Sequence, residues 1–279
     1  MDSGLYVVAT PIGNLGDLTS RAVEVLQGVD LIAAENTRHS QRLLQHYAIE
    51  TPLLAYHDHS EERTLNKVTT VIAQGGSVAL ISDAGTPLIS DPGYRLVRRA
   101  QELGITVSPL PGACAAVAAL SASGLATDRF LFEGFLPAKQ GARLRRLEEL
   151  AAVPSTLVFY EAPHRVLACL TDMAQAFGAQ REAVLARELT KAFETLRREP
   201  LEQLVEFVAQ DDNQRRGEIV LLVAGRAASE RILDEEVERL LQRLVQDMPA
   251  KSAAAVVADV TGLRKKDLYR YLVDHRSPK

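Results

Sequence analysis

Short apolar runs alternate with amphipathic stretches along the first 126 residues. The runs at 5–9, 31–34, 53–57, 78–82 and 106–108 have the length and composition of buried strands. Apolar residues recur at helical spacing between them, at 18–29, 41–47, 61–74 and 94–103, and an alanine-rich helix is expected after Gly112. Strands that alternate with helices in this way predict an α/β fold with a largely parallel sheet.

A second series of elements begins near residue 127. We predict strands at 130–135, 156–160, 184–189 and 219–223, with helices at 144–150, 165–177 and 201–209. Beyond residue 225 the pattern is wholly helical, at 233–245, 250–260 and 263–273. We therefore expect an α/β domain at 1–126, a second at 127–226, and a helical segment at 227–279 that is either a helix-turn-helix unit or a plain helical cap.

Composition and charge indicate where the protein is located and which part of the chain could contact a charged partner. No apolar run reaches the roughly 18 residues that cross a bilayer, and the first residues lack the basic and then apolar pattern of an export signal, so we expect a cytoplasmic protein. The formal net charge is −4, yet residues 251–279 hold seven basic and three acidic side chains, a local +4. The rest of the chain therefore carries −8, and the C-terminal segment is the candidate for contact with an anionic partner.

The loop at 82–93, SDAGTPLISDPG, is the most unusual stretch of the chain. It follows a predicted strand, and ligands of open α/β sheets bind at carboxyl strand ends. It contains no Lys or Arg, and the chain has no glycine-rich phosphate-binding motif, which argues against a nucleotide phosphate. Asp83, Thr86 and the turn amides suit a neutral or cationic cofactor with an adenosine and an amino-acid end. The alternative is an ordinary long loop rich in turn-forming residues.

Further polar or glycine- and proline-rich segments also follow predicted strands. The loops at 10–17 and 110–115 can converge with the loop at 82–93 on one cleft. The polar clusters at 35–39, 160–165 and 187–195 lie at similar positions, although helix capping and surface ion pairing would also explain them. The sequence His57-Asp58-His59 has no third ligand at a helpful spacing, so we expect no metal.

Eight segments together resemble the tetrapyrrole methylase superfamily, and within it the branch that acts on ribosomal RNA. They are LYVVATPIGNLGD, AAENTRH, SDAGTPLISDPGY, PLPGACAA, FEGFLPAK, FYEAPHR, ARELTKAFET and GEIVLLV, followed by the basic helical tail. The resemblance implies a homodimer whose subunits hold S-adenosyl-L-methionine in a cleft between two α/β domains. It also implies 2′-O-methylation of a cytidine ribose in the 16S ribosomal RNA of the small ribosomal subunit.

The same resemblance assigns the cofactor contacts. Carried over by matched motif, they are Pro11, Asp83, Gly85, Thr86, Cys114, Ala115, Tyr160, Leu189 and Glu218. The chain departs from the family at Asn36, where an aspartate is usual, and this puts any role of that carboxylate in doubt.

Methyl transfer to a ribose hydroxyl needs alignment of the reacting atoms and a path for the hydroxyl proton. The candidate bases or orienting groups are Glu35, Glu161, His164, Lys191 and Glu194, with Arg38 and Arg165 as candidates to hold RNA phosphates. The basic tail, through Arg264, Lys265, Lys266 and Arg270, is the expected RNA-docking element. Two alternatives are a methyltransferase acting on a tetrapyrrole-like small molecule and a non-catalytic RNA-binding factor.

Overall fold

A computed structural model describes residues 1–57, 62–226 and 235–274. The chain forms two compact units, Met1–Gly225 and Arg226–Lys279. The larger unit contains two five-stranded sheets, and the boundary predicted at residue 126 falls in the connection between them. No helix in the described ranges is long and apolar enough to span a membrane.

The first sheet is entirely parallel, as the alternating pattern predicts. Its strands, β1 to β5, have the order β3-β2-β4-β1-β5, and they are β1 (Gly4–Val8), β2 (Leu31–Ala34), β3 (Leu53–Ala55), β4 (Ser77–Ile81) and β5 (Val107–Leu110). The helices that follow these strands in turn are α1 (Ser20–Gly28), α2 (Thr37–His46), α3 (Glu62–Ala73), α4 (Tyr94–Glu102) and α5 (Ala115–Ala122). Strands β2 and β4 are buried at every position, because separate apolar clusters cover the two faces of the sheet.

The strand order creates a topological switch between β1 and β4. The chain leaves β1 toward the β3 edge of the sheet and leaves β4 toward the β5 edge. The loops that follow these neighbouring strands therefore flank a crevice at their carboxyl ends, which is where open α/β sheets bind ligands.

The second sheet is mixed, unlike the first. Its order is β6-β7-β10-β8-β9, for strands β6 (Phe130–Phe135), β7 (Thr156–Glu161), β8 (Glu182–Arg187), β9 (Thr195–Pro200) and β10 (Ile219–Val223). Only β6 and β7 pair in parallel. Helices α6 (Gln140–Leu150), α7 (Val166–Phe177) and α8 (Leu201–Gln210) supply side chains to the apolar core on one face of this sheet.

The two sheets of the larger unit are joined through α5. Ala116, Ala119 and Leu120 of this helix share an apolar cluster with Val158 and Val220 of the second sheet. The alanine-rich sequence of α5 allows the helix to approach the sheet closely, because small side chains need little space.

Between residues 235 and 274, which the structure describes, the smaller unit has three helices around its own core. They are α9 (Glu235–Asp247), α10 (Ala250–Thr261) and α11 (Lys265–Asp274), and the expected start of the first at residue 233 lies outside the described residues. Gly262 ends α10 with a left-handed backbone, φ 68°, and so permits the tight turn into α11. Each helix contributes to the buried core, through Leu241, Val257 and Leu268 respectively.

A buried ion pair connects α6 and α7. The guanidinium of Arg143 lies 2.6 Å from the carboxylate of Asp172, and the two side chains are 5% and 2% exposed. Gln140 donates a further hydrogen bond to Asp172 at 3.0 Å. The pair is therefore removed from water, and each charge depends on its partner.

We expect Asp172→Ala to lower the free energy of unfolding by about 3 to 5 kcal/mol, because it leaves the Arg143 charge buried without its counterion. Urea unfolding measures this change. Glu102→Ala, which breaks the exposed pair with Arg98 on α4, is the control and should have a much smaller effect. Equal effects of the two substitutions would contradict the assignment of Arg143 and Asp172 as a buried structural pair.

Candidate active site in the cleft of the larger unit

Three loops meet at the carboxyl edge of the first sheet. Thr10, after β1, and Gly85, after β4, exchange two backbone hydrogen bonds of 2.9 Å. The hydroxyl of Thr86 donates to the carbonyl of Ala113, in the loop after β5, at 2.9 Å. The glycine- and proline-rich segments at 10–17, 82–93 and 110–115 are thus held together by specific bonds.

The loops after β4 and β8 contain residues with a strained backbone. Gly85 has φ 85°, a conformation that side-chain-bearing residues rarely adopt. Leu88 and Ser90 in the same loop also have positive φ, as do Glu188 and Thr190 after β8. Residues held in such conformations cluster at ligand sites, where the surrounding structure fixes them.

A cavity of about 400 Å³ opens between the two sheets, within the size range of small-molecule sites. The first sheet contributes polar side chains from the ends of β2 and β4, and the second contributes residues from β7, the segment after β8 and the start of β10. In β10, Ile219 pairs with both Glu161 and Arg187, which brings these segments to one edge. The sequence-predicted residues that line the cavity are Glu35, Asp83, Gly85, Thr86, Ala115, Tyr160, Glu161, Leu189 and Glu218.

Tyr160 links the cavity to the start of α5. Its hydroxyl accepts a hydrogen bond from the backbone N–H of Ala116 at 3.2 Å. Burial, together with the neighbouring thiol of Cys114, raises the pKa of Tyr160 above its ordinary value. The phenol is therefore neutral at physiological pH and can donate or accept a hydrogen bond at the cavity wall.

The hydrogen bonds of Asp83 indicate whether a cofactor with a cationic or hydroxyl group fits the cavity. Its backbone N–H donates to Glu35 at 3.3 Å, whereas its buried oxygen Oδ1 has no hydrogen-bond partner among the described residues. A buried acceptor without a donor is unusual in a folded protein. The amino group or a ribose hydroxyl of S-adenosyl-L-methionine would satisfy it, so the residues of this cleft fit the cofactor that the sequence motifs imply.

Glu161 and Arg165 form an ion pair at the cavity wall. The Glu161 side chain is 0% exposed, and that of Arg165 is 20% exposed. Nη2 of Arg165 donates to Glu161 at 3.2 Å and to the carbonyl of Leu136 at 2.8 Å. The guanidinium expected to hold RNA phosphate is thus engaged within the protein.

Lys191 forms a second ion pair beside the cavity. Its Nζ lies 2.7 Å from Glu188 and 3.0 Å from Glu218. Burial acts to lower the pKa of Lys191, but its hydrogen bonds to the two carboxylates outweigh burial and raise the pKa. Lys191 therefore holds its proton firmly and neutralises Glu218 at the cavity rim.

Several sequence-predicted residues lie outside the cavity lining. Pro11 and Cys114 adjoin the lining residues Ile12 and Ala115, while Arg38 and His164 are exposed. Glu194 accepts a hydrogen bond from the backbone N–H of Thr190 at 2.6 Å and so supports the strained loop after β8.

Asn36 caps α2. Its side-chain oxygen accepts hydrogen bonds from the backbone N–H groups of Arg38 and His39, at 3.1 and 3.2 Å. Asparagine and aspartate serve equally well at this position of a helix. Asn36 is exposed and does not line the cavity, so its side chain stabilises the helix terminus next to Glu35.

Asp91 is the main lining residue that the sequence analysis missed. Burial raises its pKa to about 6, the carboxylates of Glu35 and Asp83 act in the same direction, and a hydrogen bond with Ser82 opposes them. The available sequence signal was a second aspartate in a strand-end loop without basic residues. In the part of the chain that the structure describes, no group of His, Cys, Asp and Glu could hold a metal; Asp58 and His59 lie outside that part.

Comparison with known proteins agrees with the motifs. A family model described as "Tetrapyrrole (Corrin/Porphyrin) Methylases" matches residues 4–205, and one described as "RsmI C-terminal HTH domain" matches residues 232–276. Two relatives, both called "Ribosomal RNA small subunit methyltransferase I", come from Pseudomonas aeruginosa and Escherichia coli O157:H7. The first is 57% identical over 268 residues, 95% of each chain, and the second is 51% identical over 272 residues, 98% of this chain and 95% of the relative.

A solved structure supports the fold. The uroporphyrin-III C-methyltransferase of Thermus thermophilus, complexed with S-adenyl homocysteine, superposes with a TM-score of 0.55 at 18% identity, over 79% of this chain and 97% of its own. The family and fold predicted from the motifs are thereby confirmed. The chain belongs to the tetrapyrrole methylase family, in the branch whose members end in an RsmI-type helix-turn-helix domain.

Proposed function

We propose that this protein transfers the methyl group of S-adenosyl-L-methionine to the ribose 2′-hydroxyl of a cytidine in 16S ribosomal RNA, within the small ribosomal subunit. The observation that carries the proposal is the 57% identity, over 95% of both chains, to a ribosomal RNA small subunit methyltransferase I. The proposal includes a cytoplasmic homodimer, because ribosomal subunits are cytoplasmic and the edge strand β6 exposes Phe130, Leu131 and Phe135.

The alternative of a small tetrapyrrole substrate is less well supported. The porphyrinoid methyltransferase of the same fold is only 18% identical to this chain and covers 79% of it. The helical unit at the C-terminus matches the RsmI-type domain and presents exposed basic residues. A small-molecule acceptor has no need of such a unit, whereas a folded ribonucleoprotein substrate does.

Some residues of the cleft are suited to hold the cofactor, and others are suited to accept the proton of the hydroxyl group. S-adenosyl-L-methionine, when bound, supplies an electrophilic methyl group on a sulfonium centre. Asp83, Thr86 and Tyr160 offer the acceptor and hydroxyl groups that would hold and orient it. Methylation of a hydroxyl releases one proton, and a carboxylate at the cavity wall is the group suited to accept it.

Among the predicted bases, Glu35 is the one that we favour. Glu161 is fully buried and paired with Arg165, and Lys191 is held in its charged form by two carboxylates. Glu35 lines the cavity at the end of β2, beside Asp83, to whose backbone N–H it is hydrogen-bonded. Glu35 is therefore a carboxylate of the cavity lining that stands next to a proposed cofactor-binding residue.

Mass spectrometry of 16S ribosomal RNA from cells with and without the gene tests the function directly. We expect a 2′-O-methylcytidine that disappears with the gene and returns when the protein is restored. Sedimentation of the purified protein should give twice the chain mass of 30.5 kDa. Unchanged ribose methylation in the deletion strain would refute the RNA substrate, and a monomer would refute the dimer.

Glu35→Gln should lower the rate of methyl transfer by about 10²- to 10⁴-fold, because the hydroxyl proton loses its acceptor. The rate should be measured at saturating cofactor, so that a change in cofactor affinity, determined separately by calorimetry, does not contribute to it. Glu148→Gln, on the exposed face of α6, is the matched control and should retain full activity. Retention of the wild-type rate by Glu35→Gln would show that another group accepts the proton.

The basic face of α11 should bind RNA phosphates. Lys265, Lys266 and Arg270 are exposed on this helix, whereas Leu268 and Leu272 pack into the core. Replacing all three basic residues with Gln should raise KM for small subunits and reduce the salt dependence of binding by up to about 2 to 3 in logarithmic slope. Cofactor affinity should not change.

The control for this experiment is Arg243→Gln on α9, whose guanidinium pairs with Asp247 at 2.7 Å. It removes a basic charge from the same unit but not from α11. An unchanged KM and salt slope in the triple variant would exclude α11 as the RNA-docking helix.

A further inference from the structure

The carboxylates that line the cavity fall into two groups. Glu161 and Glu218 are each paired with a basic side chain, Arg165 and Lys191 respectively. The other group is Glu35, directly after β2, with Asp83 and Asp91 in the loop that follows β4. The described residues that line the cavity include no Lys, Arg or His.

Asp91 lines the cavity together with Glu35, Asp83 and Tyr160, and it interacts electrostatically with all three. Glu35 from the end of β2 and Asp83 from its own loop both disfavour its charge, and Asp91 in turn disfavours ionisation of Tyr160 on β7. Its opposing interaction is the hydrogen bond with Ser82, which carries no charge. The free protein thus holds a carboxylate whose ionised form would gain from a cation in the cavity.

The donor and the product of the proposed reaction differ in charge. S-adenosyl-L-methionine has a sulfonium cation, whereas S-adenosylhomocysteine has a neutral thioether at the same position, so the net charges at neutral pH are +1 and 0. A carboxylate in a cavity of reduced dielectric attracts the first more strongly than the second. Loss of charge in the reaction would therefore weaken binding of the spent cofactor.

From this arrangement we infer that Asp91 is a specificity-determining residue, which favours the cationic methyl donor over its neutral product and so promotes product release. The inference rests on the proposed function, because it concerns the same cofactor in the same cleft. It goes beyond that function by assigning a role to a residue outside the predicted cofactor and catalytic sets.

The pH dependence of this preference follows from the ionisation of Asp91, whose pKa is raised to about 6. Above that pH the side chain is charged, and the preference for the donor is fully expressed. As the pH falls through about 6 the side chain takes up a proton, and the preference fades. Binding of a cation stabilises the ionised form, so donor binding near pH 6 should release protons.

The test is isothermal titration calorimetry of S-adenosyl-L-methionine and S-adenosylhomocysteine with the wild-type protein and Asp91→Asn. At about pH 8 the ratio of product Kd to donor Kd should fall about fivefold in the variant. At about pH 5 the wild-type ratio should approach that of the variant. Titrations near pH 6 in buffers of different ionisation enthalpy should show a proton release by the wild-type protein that is smaller in the variant.

Two controls make the outcome decisive. Asp128→Asn removes an exposed carboxylate that does not line the cavity, and it should keep the wild-type ratio. Asp91→Asn should fold at least as stably as the wild type at about pH 8, because it removes a charge that the folded protein disfavours. Thermal unfolding of both variants verifies this point.

The possible results separate the two proposals. If both ligands bind the wild type and the variant keeps the wild-type ratio within about twofold, the inference about Asp91 is wrong and the proposed function stands. If neither ligand binds the wild-type protein, the cofactor assignment fails and the inference fails with it.

Discussion

Two backbone hydrogen bonds between Thr10 and Gly85 hold the loops after β1 and β4 together at the edge of the first sheet. These bonds need a left-handed backbone at Gly85, and they lie at the switch point that the strand order creates. Thr86 extends the same connection to the loop after β5. The positions of Asp83 and Asp91, and hence the electrostatic character of the cavity, depend on this arrangement.

The second sheet contributes to the cavity through antiparallel strand pairing, whereas the first sheet does so through the loops after parallel strands. Its antiparallel pairing places the end of β7, the end of β8 and the start of β10 side by side, although these segments are far apart in the chain. Tyr160 then joins this edge to α5 through Ala116. Basic side chains pair with Glu161 and Glu218 on the side of the second sheet, whereas Glu35 and Asp83 on the side of the first sheet disfavour the charge of Asp91.

Much of this organisation could be predicted from local sequence. Strands β2 and β4 of the first sheet are mostly apolar because both of their faces are buried, and the positions of all five strands agree with the prediction to within a few residues. Strand β9 was not predicted, since Thr195–Pro200 has a single apolar residue, Leu196, and lies at a sheet edge. Strand β8 ends at Arg187, two residues earlier than expected, where Glu188 adopts positive φ.

Fewer features of the site than of the fold could be predicted from the sequence. Glycine- and proline-rich loops indicated where a ligand should bind, and the family motifs supplied nine cofactor positions, of which Pro11 and Cys114 adjoin rather than line the cavity. The environment of Asp91 depends on its burial and on carboxylates that follow two different strands, so no local pattern could reveal it. The same holds for the hydrogen bond from Arg165 to the carbonyl of Leu136, which joins segments 29 residues apart in the chain.

The most direct test of the account is a crystal structure of the protein with S-adenosylhomocysteine. We expect the ligand between the two sheets, with a donor group within hydrogen-bonding distance of Asp83 Oδ1 and its remaining polar groups near Thr86 and Tyr160. A ligand bound away from the bridged loops of β1 and β4, with Asp83 Oδ1 still without a partner, would contradict it.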